Sequence, residues 1–266
     1  MPNFWAHRLC AGLTLEQLEG TMLADLIRNN SESFHLGSQG ADMMYFRPLQ
    51  FLKGRKGVTY HAKMLHSQPV ELLAEMSRQY FASPVGQRQI GSTFAYVCGF
   101  LCHHAADQMV HPFIESHTSS LLKHRRIELD FDAYLSNALG LCPDKANHHW
   151  MGISGFMGFA GLAQYYNFMF HKLFEKKFKP RSYIKDFKAM KRVSGLLDKP
   201  RRLEKPKHTD RPYLTDRDLR LMMAAALQGA EQAGVMIRAL YQELEGLLSE
   251  ESEAVLPGII PQSIGI

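Results

Sequence analysis

His103, Asp107 and His111 recur at four-residue steps, and His124 and Glu128 repeat that step a little further along the chain. On an α-helix, residues four apart share a face, one turn above the other. Two adjacent helices carrying these residues would aim imidazoles and carboxylates at one point. A borderline cation such as zinc accepts both ligand types at about 2 Å. The chain holds 13 histidines, and five of them fall between 103 and 124, so the clustering belongs to this segment rather than to the composition. Asp107 follows the apolar run Tyr96-Val97-Cys98-Gly99-Phe100-Leu101-Cys102. A carboxylate is costly to bury there without a strong partner. A cation supplies one, and a buried His–Asp hydrogen bond is the competing reading. His35, His104, His117, His148, His149, His171 and His208 carry no such pattern and read as core or surface histidines.

Helices must position these residues. Thr14 followed by Gln17 resembles a capping box, and Leu15, Leu18, Met22 and Leu26 keep helical spacing, so a helix is expected to about Asn30. The segment Phe34 to Asp42 reads as loop-rich, and Lys53 to Gly57 as a loop. Helices are expected over 59–82, 85–110, 121–140 and 145–178, with breaks at Pro84, Pro112 and Pro143. Proline disfavours helical geometry in the residue before it, so His111 should end its helix. Residues 181–213 contain Pro200, Pro206 and Pro212 and read as a short helix plus a connector. A last helix should run from Asp216 to about Leu248, and the apolar tail 257–266 should pack across the body or fray. No strand alternation of useful length and no internal repeat occurs. The expectation is one all-α domain over 1–266, with 1–140 as the ligand-bearing half and 141–266 as a packing half.

Composition narrows the class. A length of 266 residues, 45% hydrophobic and 21% charged, suits a globular protein. Cys10, Cys98, Cys102 and Cys142 read as reduced, since Cys98 and Cys102 would stand one helical turn apart. The start Met1-Pro2-Asn3-Phe4-Trp5 has neither a basic n-region nor a long apolar h-region, so the expected compartment is the cytosol. The net charge of +5 is uneven: residues 172–207 carry an excess of roughly ten positive charges. That block reads as a solvated face or a mobile loop, with anionic lipid or nucleic acid as the functional alternative. Trp150 to Phe170 holds no charged residue, yet its Gly, Ser, Gln and Asn content favours a core helix over a membrane-touching one.

The stretch Gly99-Phe100-Leu101-Cys102-His103-His104-Ala105-Ala106-Asp107-Gln108-Met109-Val110-His111-Pro112 resembles the zinc-dependent phospholipase C family, in particular its compact bacterial members without a secretion signal. His124-Arg125-Arg126-Ile127-Glu128 resembles the family's next ligand pair. Met1-Pro2-Asn3-Phe4-Trp5-Ala6-His7 resembles the usual start, Gly37-Ser38-Gln39-Gly40-Ala41-Asp42 the aspartate-bearing loop, and Leu65-His66-Ser67 the next single histidine. The motifs keep the family's order over about the first 135 residues. The resemblance implies a helical fold holding two or three zinc ions. One ion would take Asp42, His66, His103 and Asp107, and a second His111, His124 and Glu128. A third would use His7, the chain's own N-terminus and Asp107 as a bridge. Trimming of Met1 would free the amine of Pro2 for that ligand role. His61 competes with His66, which fits the pattern better. Asp130 and Asp132 are candidate hydrogen-bond partners to histidine ligands, or surface charges.

A cluster of divalent ions suits phosphodiester hydrolysis, because it generates hydroxide near neutral pH and neutralises charge on phosphoryl oxygens. The expected reaction is in-line attack of metal-bound hydroxide on phosphorus, with Asp42 orienting or deprotonating the water and Asp107 bridging two ions. The resemblance implies a phospholipid substrate, with peripheral membrane contact through 150–207. A single-strand nuclease on the same fold is the first alternative, and a non-catalytic metal-stabilised lipid-binding or scaffold protein the second. A mixed His/carboxylate set also tolerates iron or manganese.

Overall fold

The computed structural model describes residues 4–45, 58–138, 156–178, 185 and 214–254. In chain order the elements are α1 (Phe4–Gln17), α2 (Met22–Asn29), α3 (Ser31–Gly37), a 3-10 turn (Asp42–Tyr45), α4 (Val58–His66), α5 (Val70–Phe81), α6 (Pro84–Gln87), α7 (Ser92–His117), α8 (Leu121–Ala138), α9 (Phe156–Phe174) and α10 (Asp216–Ala254). The fold is all-α, and no strand occurs among the described residues.

Helix α7 is the axis. Every residue from Thr93 to Asp107 is buried, and a helix that is covered on all sides belongs at the centre of a bundle. Helices α3 and α10 flank it most closely, with α1, α5, α8 and α9 completing the shell. Small residues permit the approach of α3. A Cβ at Gly37 would fall on the Tyr96 carbonyl, and one at Gly99 on the Phe34 carbonyl. The larger core packs Phe34, Phe81, Tyr165, Tyr166 and Phe170 with Phe94 and Phe100 around the first half of α7. A smaller core packs Ala6, Cys10, Val110, Ile114, Phe131 and Ala226 around its second half. Ala105 belongs to the first and Ala106 to the second, so the two cores meet on α7 beside Asp107.

Several expected boundaries are corrected. Thr14 is no cap: its buried hydroxyl donates to the carbonyls of Cys10 and Ala230 inside α1. The chain instead turns at Gly20, whose φ of 75° is a left-handed conformation that favours glycine. It restarts at Thr21, whose hydroxyl accepts from Ala24 N. The segment after Asn30, expected to be loop-rich, begins as helix α3, because burying Phe34 and Leu36 against α7 outweighs weak intrinsic propensity. Pro69 divides the expected helix 59–82 into α4 and α5, sitting at the N-cap of the second. Pro84 does break the chain's helical run, with Ser83 capping the short α6.

Pro112 does not end α7, which continues to His117. Both Pro112 and Gln108 are exposed, so water can take the place of the lost amide at the Gln108 carbonyl. Ile114, two residues beyond, is buried and keeps the last turns attached. Helix α9 ends at Phe174, short of the expected 178, where Glu175 turns left-handed at φ 55°. Its face of Leu162, Tyr165, Tyr166, Met169 and Phe170 is buried in the larger core. No helix among the described residues is long and apolar enough to cross a membrane. Helix α10 runs six residues past the expected Leu248. The Lys53–Gly57 loop, the Pro143 break, the start of the helix expected from 145, nearly all of 181–213 and the tail 257–266 lie outside the described residues, as do Pro2, Cys142, His148, His149 and His208.

Candidate metal centre

Five elements deliver the donors. His7 sits in the first turns of α1, whose start is tied to α8 by Asp132, the carboxylate accepting from Ala6 N at 2.8 Å. Asp42 opens the 3-10 turn. The loop before it presses onto α7 so closely that a Cβ at Gly40 would fall on the His103 ring, and Gly40 itself has φ 52°. The hydroxyls of Tyr96 and Tyr166 lie 2.6 Å apart beneath this loop, each 3.5 Å from the Gly40 carbonyl. His66 ends α4, and its Nδ1 lies 2.8 Å from the Ala62 carbonyl. His103, Asp107 and His111 stand on successive turns of α7, and His124 and Glu128 on α8.

These side chains converge in three groups: Asp42, His66 and His103; His7, His103 and Asp107; and His111, His124 and Glu128. Asp107 joins them. Its Oδ2 lies 3.3 Å from His66 Nε2 and 3.4 Å from His103 Nε2. Its Oδ1 lies 3.3 Å from His7 Nε2 and 3.5 Å from His111 Nε2. Glu128 Oε1 is 3.0 Å from His124 Nε2 and 3.7 Å from His111 Nε2. Two ligands held at about 2.0–2.1 Å on a tetrahedral ion stand about 3.3 Å apart. The observed separations cluster around that edge length.

The donor chemistry fits a cation as well. His66 Nδ1 faces a carbonyl and must donate to it, which leaves Nε2 of the neutral ring as a lone pair. That lone pair meets Asp42 Oδ1 at 3.1 Å, Asp107 Oδ2 at 3.3 Å and His103 Nε2 at 3.1 Å. The carboxylate oxygens and His66 Nε2 are acceptors, and His103 Nε2 either supplies the proton between them or, with its proton on Nδ1, becomes one more lone pair for a metal ion. A backbone carbonyl on the far nitrogen is also the usual way a ligating imidazole is oriented.

Without metal, the cluster holds protons. Burial opposes charge on His66, but hydrogen bonds to Asp107 and Asp42 raise it well above the usual imidazole range. The Asp107 carboxylate raises His111 to about 9. Burial opposes charge on Asp107 too, yet the fields of His111, His103 and His7 hold it well below the carboxylate range. Glu128, despite its burial, is brought down to about 2 by hydrogen bonds from His111 and His124. His103 and His104 are pushed well below the imidazole range, first by burial and then by neighbouring histidines. A pocket of about 330 Å³, its open mouth included, is lined by the donors His7, Asp107, His111 and Glu128 together with apolar residues such as Val110 and Phe131.

Of the expected donors, all but Pro2 are described, and all of those fall within these groups. His61 is elsewhere, edge-on to Phe170 and Phe178 in the aromatic core, so His66 holds the place for which the two competed. Asp130 pairs with Arg126 across one helical turn. Asp132 accepts from the backbone of α1 at Ala6 N. His104 is a buried core ring, 4.4 Å from Phe100 and 5.1 Å from His66. Gly40, Tyr45, Tyr96 and Tyr166 escaped sequence reasoning; only Gly40, two residues before Asp42, carried a local signal. Cys10, Cys98 and Cys102 are buried free thiols.

The profile of the family described as zinc-dependent phospholipase C matches residues 6–188. No curated protein and no solved structure matches the chain. The match spans four of the five donor-bearing motifs in full and the fifth from Ala6 onward, and it covers more than half of the chain, so the protein belongs to the zinc-dependent phospholipase C family.

Proposed function

We propose that this chain is a zinc-dependent phosphodiester hydrolase that cleaves phospholipid into diacylglycerol and a phosphorylated headgroup. The observation that carries the reading is the convergence of lone pairs around His66 Nε2, joined by Asp107 to the His111/His124/Glu128 group. Asp42, His66, His103 and Asp107 would hold one ion, and His111, His124 and Glu128 a second. His7 and Asp107, with the amine of Pro2, would hold a third. Bound zinc lowers the pKa of water toward neutrality and offsets charge on phosphoryl oxygens. Asp42 would orient or deprotonate the attacking water. Asp107 has one oxygen toward His66 and His103 and the other toward His7 and His111, so it would set the spacing of the ions those side chains would hold. Family membership favours zinc and a phospholipid; the donor mix would also accept iron or manganese.

The test is metal analysis of the purified chain, followed by an activity panel on the loaded protein. The panel holds phosphatidylcholine vesicles, bis(p-nitrophenyl) phosphate and single-stranded DNA. Two or three ions per chain and release of diacylglycerol are expected. Less than one ion per chain would remove the enzymatic reading in favour of a scaffold. Hydrolysis confined to DNA would replace the lipid with nucleic acid.

A further inference from the structure

Tyr45 closes the 3-10 turn that Asp42 opens. Its ring centroid lies 5.9 Å from that of His66, tilted by 36°. The side chain is half-buried against the larger core, and among the described residues its hydroxyl makes no hydrogen bond. Asp42, His66 and His103 form one of the three donor groups, so Tyr45 adjoins that group both along the chain and through its ring. Tyr45 therefore borders the Asp42/His66/His103 group, and no described residue takes up its hydroxyl proton.

Resting on the phosphodiester reading above, we infer that Tyr45 touches the substrate, its O–H donating a hydrogen bond to a non-bridging oxygen of the phosphodiester. A phenol suits this place. Once the neighbouring donors are engaged by a cation, the group available to the hydroxyl is the anion that cation attracts. A neutral donor binds that anion with a charge-assisted hydrogen bond, and it does not compete with the metal ions as a lysine or arginine would. The contact is to the phosphoryl group, so it is independent of the headgroup.

The metal-loaded full chain and its Tyr45→Phe variant are compared on bis(p-nitrophenyl) phosphate, with inorganic phosphate as inhibitor. Loss of one hydrogen bond to a charged group predicts a fall in kcat/KM of about 10- to 100-fold and a phosphate Ki weaker by about tenfold. Metal content and unfolding temperature should stay as in the parent. Values of kcat/KM and Ki within twofold of the parent would overturn the inference, and so would loss of metal from the variant, which would make Tyr45 a support for the site. If the variant does not fold, 3-fluorotyrosine at position 45 provides the readout. Inorganic phosphate should shift its fluorine resonance saturably in the loaded protein, and no shift overturns the inference. Should the parent hydrolyse no phosphodiester, the functional reading fails, while the phosphate titration still decides the role of Tyr45.

Discussion

At the scale of single residues, Asp107 carries the most weight, because its two oxygens face two different sets of imidazoles. Asp107→Asn keeps the shape but replaces one oxygen with an NH₂ that cannot face a cation. The expected outcome is loss of at least one ion per chain by metal analysis and a fall in phosphodiesterase kcat/KM of about 100-fold or more. Full metal content together with full rate would refute the bridging role. His7 makes a second residue-scale prediction. It lies five residues after Pro2, and its Nε2 reaches Asp107 at 3.3 Å. If the amine of Pro2 completes that group, intact-mass analysis of active protein should give a chain starting at Pro2. Retention of Met1 in fully active material would exclude the amine as a ligand.

At the scale of elements, the site depends on how closely the Asp42 loop lies on α7. Gly40→Ala strains a left-handed backbone and drives a methyl group into the His103 ring. The combined cost should be about 2–4 kcal/mol, read by denaturant unfolding, and metal affinity should weaken with it. Unchanged stability would mean that the loop can lift off α7 freely. Pro112→Ala acts in the opposite direction, restoring an amide to the Gln108 carbonyl, and should raise stability by about 1–2 kcal/mol. These elements were unevenly legible in the sequence. His103, Asp107 and His111 announce themselves, because four-residue spacing is a local property of one helix. The family motifs likewise pointed to Asp42, His66 and His7. Tyr45 and the Tyr96–Tyr166 pair were illegible, because their place arises from contacts between segments up to 70 residues apart that no local period encodes. The end of α7 was misjudged because a rule about proline alone ignores that an exposed carbonyl can turn to water and that Ile114 is anchored in the smaller core.

At the scale of the whole molecule, the donors tie α1, the 3-10 turn, α4, α7 and α8 together where the two cores meet. Metal removal should therefore lower the unfolding temperature of the entire chain, and the size of the drop should depend on pH. In the metal-free chain, Glu128 at about 2 lies below its ordinary 4.5, so its contribution is present above about 4.5 and lost as pH falls through about 2. His111 at about 9 lies above its ordinary 6.5, so its contribution is complete below about 6.5 and lost as pH rises through about 9. The chelated protein should thus lose stability between about pH 6.5 and 9. The loaded protein should behave oppositely over that window, because an ion binds His111 only after its proton has left, and tighter binding adds stability by mass action. Thermal unfolding with and without chelator, at pH 6 and pH 9, checks both arms. The gap between the two curves should widen toward pH 9. A gap that stays constant would mean that His111 does not exchange a proton for metal, and would detach the His111/His124/Glu128 group from the metal centre.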